Sequence, residues 1–100
     1  MNSRLLSLLG IARRAGRLSL GFDAAAEAMH GGRSRLLLLA NDLSERTMRN
    51  IQAVSDETGT KTIVLDISME ILGHSVGKKS GILSVNDDGF ANKLITLCTE

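Results

Sequence analysis

Lys78 and Lys79 follow Gly77 in the run Gly73–Ser80, GHSVGKKS, which invites comparison with a phosphate-binding loop. A Walker-type loop needs four residues between its glycines and a Ser or Thr directly after the lysine. Here three residues separate Gly73 from Gly77, and Lys79 follows Lys78. The segment also leaves a helix and enters a strand, the reverse of the Walker arrangement, which argues against nucleotide hydrolysis. His74 and Ser75 pair a base with a hydroxyl, but neighbours on a helix diverge and no third group orients them. They read as a solvent-facing helix end. Asp87 and Asp88 form a carboxylate pair placed just before a helix, where acids favour the dipole and cap free N–H groups. Cys98 has no second cysteine, and with only His30 and His74 beside it there is no zinc-ligand spacing. No catalytic residue, metal ligand or cofactor follows from these residues, and no small-molecule substrate is expected.

What remains is binding. Gly21 precedes a helix whose first turn exposes backbone N–H groups, and such ends attract phosphates or polar base edges. Gly77, Lys78 and Lys79 supply a basic loop. Each feature alone is weak; if the two converge, they form a dock for a polyanion such as RNA.

The elements that must position them alternate along the chain. Ser3 is a candidate cap for a helix running to about Arg14, with Gly16 ending it. Leu18 to Leu20 is strand-like. Phe22, Ala25, Ala26 and Met29 fall at helical spacing over Phe22 to His30. Arg35 to Ala40 carries an apolar run of strand length, as expected for a central strand covered on both faces. Ser44 caps the next helix, Leu43 is placed to pack on Met48, and the helix ends near Thr58 before Gly59. Thr62 to Leu65 is β-branched and strand-like. Ser68 caps a helix over Met69 to Val76, Ile82 to Val85 is the last strand, and Asn86 or Asp87 caps a final helix bearing Phe90, Leu94 and Leu97. This alternation predicts an α/β fold, a three-layer α/β/α sandwich, in one domain over residues 1–100.

Composition agrees. One hundred residues at 43% hydrophobic content suffice for one core, built from aliphatic residues because Phe22 and Phe90 are the only aromatics. Formal charge is +1 overall. Residues 1–35 hold six arginines against Asp23 and Glu27, hence +4, leaving −3 for the remainder. A basic N-terminal third fits nucleic acid, and a solvated surface of mixed charge fits equally. Arg13 and Arg14 cut the first apolar run short of a membrane span, and its amphipathic spacing argues against a secretory signal. No membrane association is expected, and a cytoplasmic location is.

Four stretches carry a family resemblance: Leu8–Gly21 (LLGIARRAGRLSLG), Gly32–Thr47 (GRSRLLLLANDLSERT), Leu72–Val85 (LGHSVGKKSGILSV) and Asn86–Leu94 (NDDGFANKL). Their order and spacing resemble the kink-turn RNA-binding ribosomal protein family, the L-seven-Ae superfamily, and its stand-alone bacterial branch. The resemblance spans nearly the whole chain and implies a four-stranded mixed sheet. It further implies a non-enzymatic, cytoplasmic RNA-binding protein of translation or RNP biology. Implied partners are structured RNA, kink-turn or ribosomal, and a ribosomal or transcription/translation factor protein.

In that family a Gly-x-Asn-Glu-x-x-Lys signature at the start of the second helix reads tandem sheared G·A pairs, and a loop before the last strand cups an extruded nucleotide. The resemblance therefore assigns RNA contact to Gly21, Phe22, Asp23, Ala24 and Glu27, and to Val76, Gly77, Lys78 and Lys79 within the loop Leu72–Lys79. Gly21 matches the signature. Asp23 stands where Asn is expected, Ala24 where Glu is expected, and Glu27 where Lys is expected. Two carboxylates on the reading face imply weakened or altered kink-turn recognition; alternatively, they serve only the helix N-terminus. Loss of RNA contact altogether would leave a protein-interaction adaptor on the same fold.

Overall fold

The computed structural model describes residues 3–99 and contains five helices and four strands: α1 (Ser3–Arg14), β1 (Leu18–Leu20), α2 (Phe22–His30), β2 (Leu36–Leu39), α3 (Glu45–Thr58), β3 (Thr62–Val64), α4 (Met69–Val76), β4 (Ile82–Val85) and α5 (Asp88–Thr99). The sheet order is β1-β4-β2-β3. β4 runs antiparallel to both β1 and β2, while β3 runs parallel to β2. The fold is the expected three-layer sandwich around a mixed sheet.

β2 shows why three layers are needed. All four leucines of LLLL are fully buried, and because successive strand side chains point to opposite faces they divide between two cores. Leu36 and Leu38 join Leu5, Leu9, Leu72, Leu83 and Leu94 under α1, α4 and α5. Leu37 and Leu39 join Ala25, Met29, Ile51 and Ile82 under α2 and α3. Burial of one such leucine contributes roughly 1.5–3 kcal/mol, so neither face can be left uncovered.

Ser84 is the polar exception, fully buried on β4. Its hydroxyl lies 2.7 Å from both Ser34 Oγ and Asn86 Oδ1, and Asn86 Nδ2 donates to Ser19 Oγ at 2.8 Å. The chain satisfies a polar group in the middle of the sheet rather than leaving it unpaired.

Several boundaries are sharper than the sequence predicts. Ser3, the candidate cap, is already helical in α1. β2 begins after Arg35, which is exposed, and β3 stops before Leu65. Asp87 caps α5, accepting from the Phe90 N–H at 2.9 Å, because Asn86 is engaged in the serine network. Leu43 and Met48 both pack against the α2/α3-side core. Cys98 is half-buried on α5 against the opposite core, and burial pushes its thiol pKa up. No helix among the described residues is long and apolar enough to cross a membrane.

Candidate nucleic-acid interface

Strand directions bring four connections to one end of the sheet. The C-terminal ends of β1, β2 and β3 lie beside the N-terminal end of β4. The turn at Gly21, the loops 40–44 and 65–68, and the loop 77–81 therefore share that end.

α2 begins there without a side-chain cap. Gly21 occupies the cap position at φ 92°, a conformation that costs a residue with a Cβ about 1–2 kcal/mol. Its own N–H donates to Ile82 O at 2.9 Å, and its carbonyl accepts the first intrahelical bond, from Ala25 N, at 3.0 Å. The N–H groups of Phe22, Asp23 and Ala24 precede that bond and point out of the helix end. By contrast Ser44, Ser68 and Asp87 cap α3, α4 and α5 with side-chain oxygens. Phe22 is half-buried against the α2/α3-side core. Asp23 and Ala24 are exposed.

The lysine loop is positioned by a close backbone approach. A methyl group at Gly73 would stand 2.7 Å from the Lys79 Cα and 3.1 Å from its N. Only a glycine in α4 lets the chain fold back against the helix at this distance. Gly77, Lys78 and Lys79 are then exposed, and with Glu70, Gly73 and His74 they line a surface depression. Among the described residues neither lysine takes part in an ion pair.

Val76 does not belong to this surface. It is the last residue of α4 and 3% exposed, inside the α1/α4/α5-side core. The apolar side chain at the foot of the loop is spent on packing, and only its carbonyl faces a polar group, accepting from Arg13 Nε at 3.3 Å.

The Gly21–Ile82 bond holds the α2 start three residues along the chain from Lys79. The two features inferred from sequence thus lie at the same end of the sheet. Asp23 is the one exposed carboxylate in the first turn of α2. Glu27 leans the other way: its Oε1 accepts from Arg33 Nη2 at 3.3 Å, beyond the C-terminal end of the helix. The pair is solvent-exposed and weak, but it turns the second carboxylate away from the α2 start.

Two of the arginines behind the sequence's charge asymmetry, Arg17 and Arg35, are elsewhere. Arg17 O accepts from Asn86 N, and Arg35 N donates to Val85 O, which places both at the far end of β4, roughly 10 Å away for a strand of this length. Arg35 Nε pairs with Asp88 at 3.3 Å. Arg17 and Arg35 therefore do not build the end that holds Lys78 and Lys79, whereas Arg13 reaches the Val76 carbonyl at the foot of the lysine loop.

Sequence reasoning missed the loop 40–44 as part of this end. Ala40 N donates to Gly81 O at 2.8 Å and Asn41 N to Ile67 O at 2.9 Å. Asn41 Nδ2 reaches Asp66 Oδ1 at 3.1 Å, and Asp42 Oδ1 accepts from Met69 N at 3.0 Å. These bonds stitch three loops together. Only strand register reveals their convergence; the residue types alone read as an ordinary polar turn. Among the described residues no group of three or more His, Cys, Asp or Glu is gathered to hold a metal.

Comparison with known proteins supplies an independent line. The model of the ribosomal protein L7Ae/L30e/S12e/Gadd45 family matches residues 3–95. The RNA-binding protein YlxQ of Bacillus subtilis (strain 168) is 34% identical over 91 residues, covering 90% of each chain. Its Enterococcus faecium counterpart of the same name is 28% identical over 90 residues, covering 90% of this chain and 86% of that one. Among solved structures, a protein of unknown function from Bacillus halodurans C superposes with a TM-score of 0.91 at 29% identity, over 98% of this chain and 99% of the other. The Giardia lamblia 15.5kD RNA binding protein superposes with a TM-score of 0.75 at 16% identity, over 95% and 82%, a likeness of fold.

Proposed function

The chain belongs to the ribosomal protein L7Ae/L30e/S12e/Gadd45 family, and from that premise we propose that it is a non-enzymatic RNA-binding protein whose binding end is the one just described. The observation that carries the reading is a juxtaposition. Uncapped N–H donors at the start of α2 share a sheet end with two lysines that have no ion-pair partner among the described residues. The relatives named as RNA-binding proteins support the same class of ligand. Backbone donors position a phosphate or a base edge, and the lysines neutralise phosphates as point charges. Phe22, Asp23 and Ala24 present the α2 start; Gly77, Lys78 and Lys79 present the loop; Val76 acts from beneath, as packing.

The RNA is a structured one of the kink-turn class, read with weakened or altered affinity, in a translation or RNP setting in the cytoplasm. Asp23 is the principal reason for the weakening. A carboxylate beside an RNA groove repels the backbone and cannot donate, although it can accept from a guanine or cytosine amino group. Glu27 contributes less, because Arg33 draws it aside.

Titration of a standard kink-turn RNA, followed by gel shift at two salt concentrations, tests the reading. Binding that is weaker than nanomolar and falls steeply with salt is expected. Undiminished nanomolar affinity would refute the weakening. No retention of structured RNA at any salt would favour the adaptor reading, in which the fold serves protein contacts alone.

A further inference from the structure

Away from the sheet end, α1 leaves part of its outer surface uncovered. Its buried residues are Leu5, Leu9, Gly10 and Ala12, which face α4 and α5. On the outer side, Ser3, Arg4, Ser7, Leu8 and Ile11 of α1 and Lys93 and Leu97 of α5 line a groove between the two helices. A second depression, between α1 and α4, is lined by Leu6, Gly10, Ile11 and Arg14, so Ile11 stands on the ridge between them. Ile11 is 47% exposed, one of three large apolar side chains exposed to that extent among the described residues. A lone exposed isoleucine needs no explanation. Here it adjoins half-buried Leu8 and Leu97 in a concave strip, which is the shape that accepts a helix.

The strip itself is lined by cations, and an acidic group, Asp87, lies in an adjoining depression with Leu8 and Lys93. Among the described residues the charged groups lining the two depressions are Arg4, Lys93 and Arg14, with no acidic side chain. Arg4 and Arg14 are ten residues apart on α1, about 15 Å along the axis at 1.5 Å per residue.

We propose that the α1/α5 groove is a docking site for an acidic amphipathic helix of a partner protein. The partner would place a short apolar stripe over Leu8, Ile11 and Leu97 and carboxylates opposite Arg4 and Lys93, with Arg14 beyond the Ile11 ridge. Ile11 supplies the anchor contact and the cations set polarity and encounter rate. A strip of this length makes a small interface, so the complex is transient. The surface is distinct from the sheet end carrying Gly21, Lys78 and Lys79, and the proposal does not depend on what binds there.

The test is a 15N–1H NMR titration of the whole protein with two synthetic peptides. Both carry the same leucine stripe at helical spacing; one has glutamates at each end, the other lysines. The acidic peptide is expected to shift amides of α1 and α5 and to bind at least about tenfold more tightly than its basic counterpart. Ile11→Glu, a change at an exposed position, should weaken acidic-peptide binding by at least about tenfold while the kink-turn titration curve stays unchanged. Equal binding of the two peptides, shifts mapping outside α1 and α5, or full affinity in the Ile11→Glu protein would overturn the proposal. So would loss of RNA affinity in that variant, which would assign the groove to RNA. A wild-type dimer dissolved by Ile11→Glu in sedimentation would assign it to a second copy, with the same consequence.

Discussion

The two ends of the central sheet carry similar residue types and differ in what those residues are free to do. At one end, Lys78 and Lys79 stand on a loop pressed against α4, near a helix start with no side-chain cap. At the other, Arg33 and Arg35 are engaged with Glu27 and Asp88 at 3.3 Å each. The arginine-rich end is the one a charge count selects, yet two of its cations, Arg33 and Arg35, have local partners. The lysine end is poorer in charge but couples it to unsatisfied backbone donors. Availability of charge beside a donor, rather than its abundance along the chain, is what distinguishes a candidate binding end.

The largest effect that would break this comparison comes from the lysines. Lys78→Ala with Lys79→Ala should lower affinity for a kink-turn RNA about 30-fold at near-physiological salt, with the log–log salt slope smaller by about two. An unchanged slope in a salt-dependent binding isotherm would move the interface elsewhere. Next in size, Asp23→Asn should raise affinity about tenfold, by removing a repulsive carboxylate and restoring a donor. The same titration with Glu27→Lys should show a smaller gain, because Glu27 already leans toward Arg33.

A third change tests position rather than charge. Gly73→Ala pushes a methyl into the Lys79 backbone and should cost about 1–3 kcal/mol of stability, read by urea denaturation. A several-fold loss of RNA affinity should accompany it with both lysines still present. If affinity is unchanged, the close approach of loop and helix does not matter for binding. The smallest effect is expected at the far end: Arg33→Ala with Arg35→Ala should change RNA affinity less than about twofold, since both precede β2 at the opposite end of the sheet from the lysine loop. A fall equal to that of the lysine variant would erase the distinction between the ends.

The architecture was legible because local signals agreed with one another. Ser44, Ser68 and the LLLL run of β2 each mean one thing physically, a cap or a strand covered on both faces, and the structure uses them so. Candidate site residues were legible as types and only partly as positions. The family resemblance assigns Val76 to the RNA-contacting loop, yet helical phase turns it into the core. Glu27 looked like a partner of Asp23 at a spacing of four, and a residue six positions onward, Arg33, redirects it. The meeting of loops 40–44, 65–68 and 77–81 depends on strand order, which residue type does not encode.

The order β1-β4-β2-β3 has a consequence for how the molecule comes into being. The first two strands never touch each other; the last strand is wedged between them and supplies the acceptors for Gly21 and Ala40 through Ile82 and Gly81. Chains emerge from synthesis N-terminus first, so the start of α2 is made early and waits, without its anchor, until residues 81–85 arrive. A chain stopped short of Gly81 would retain α2, Asp23 and both lysines in its covalent structure and still lack the end they share.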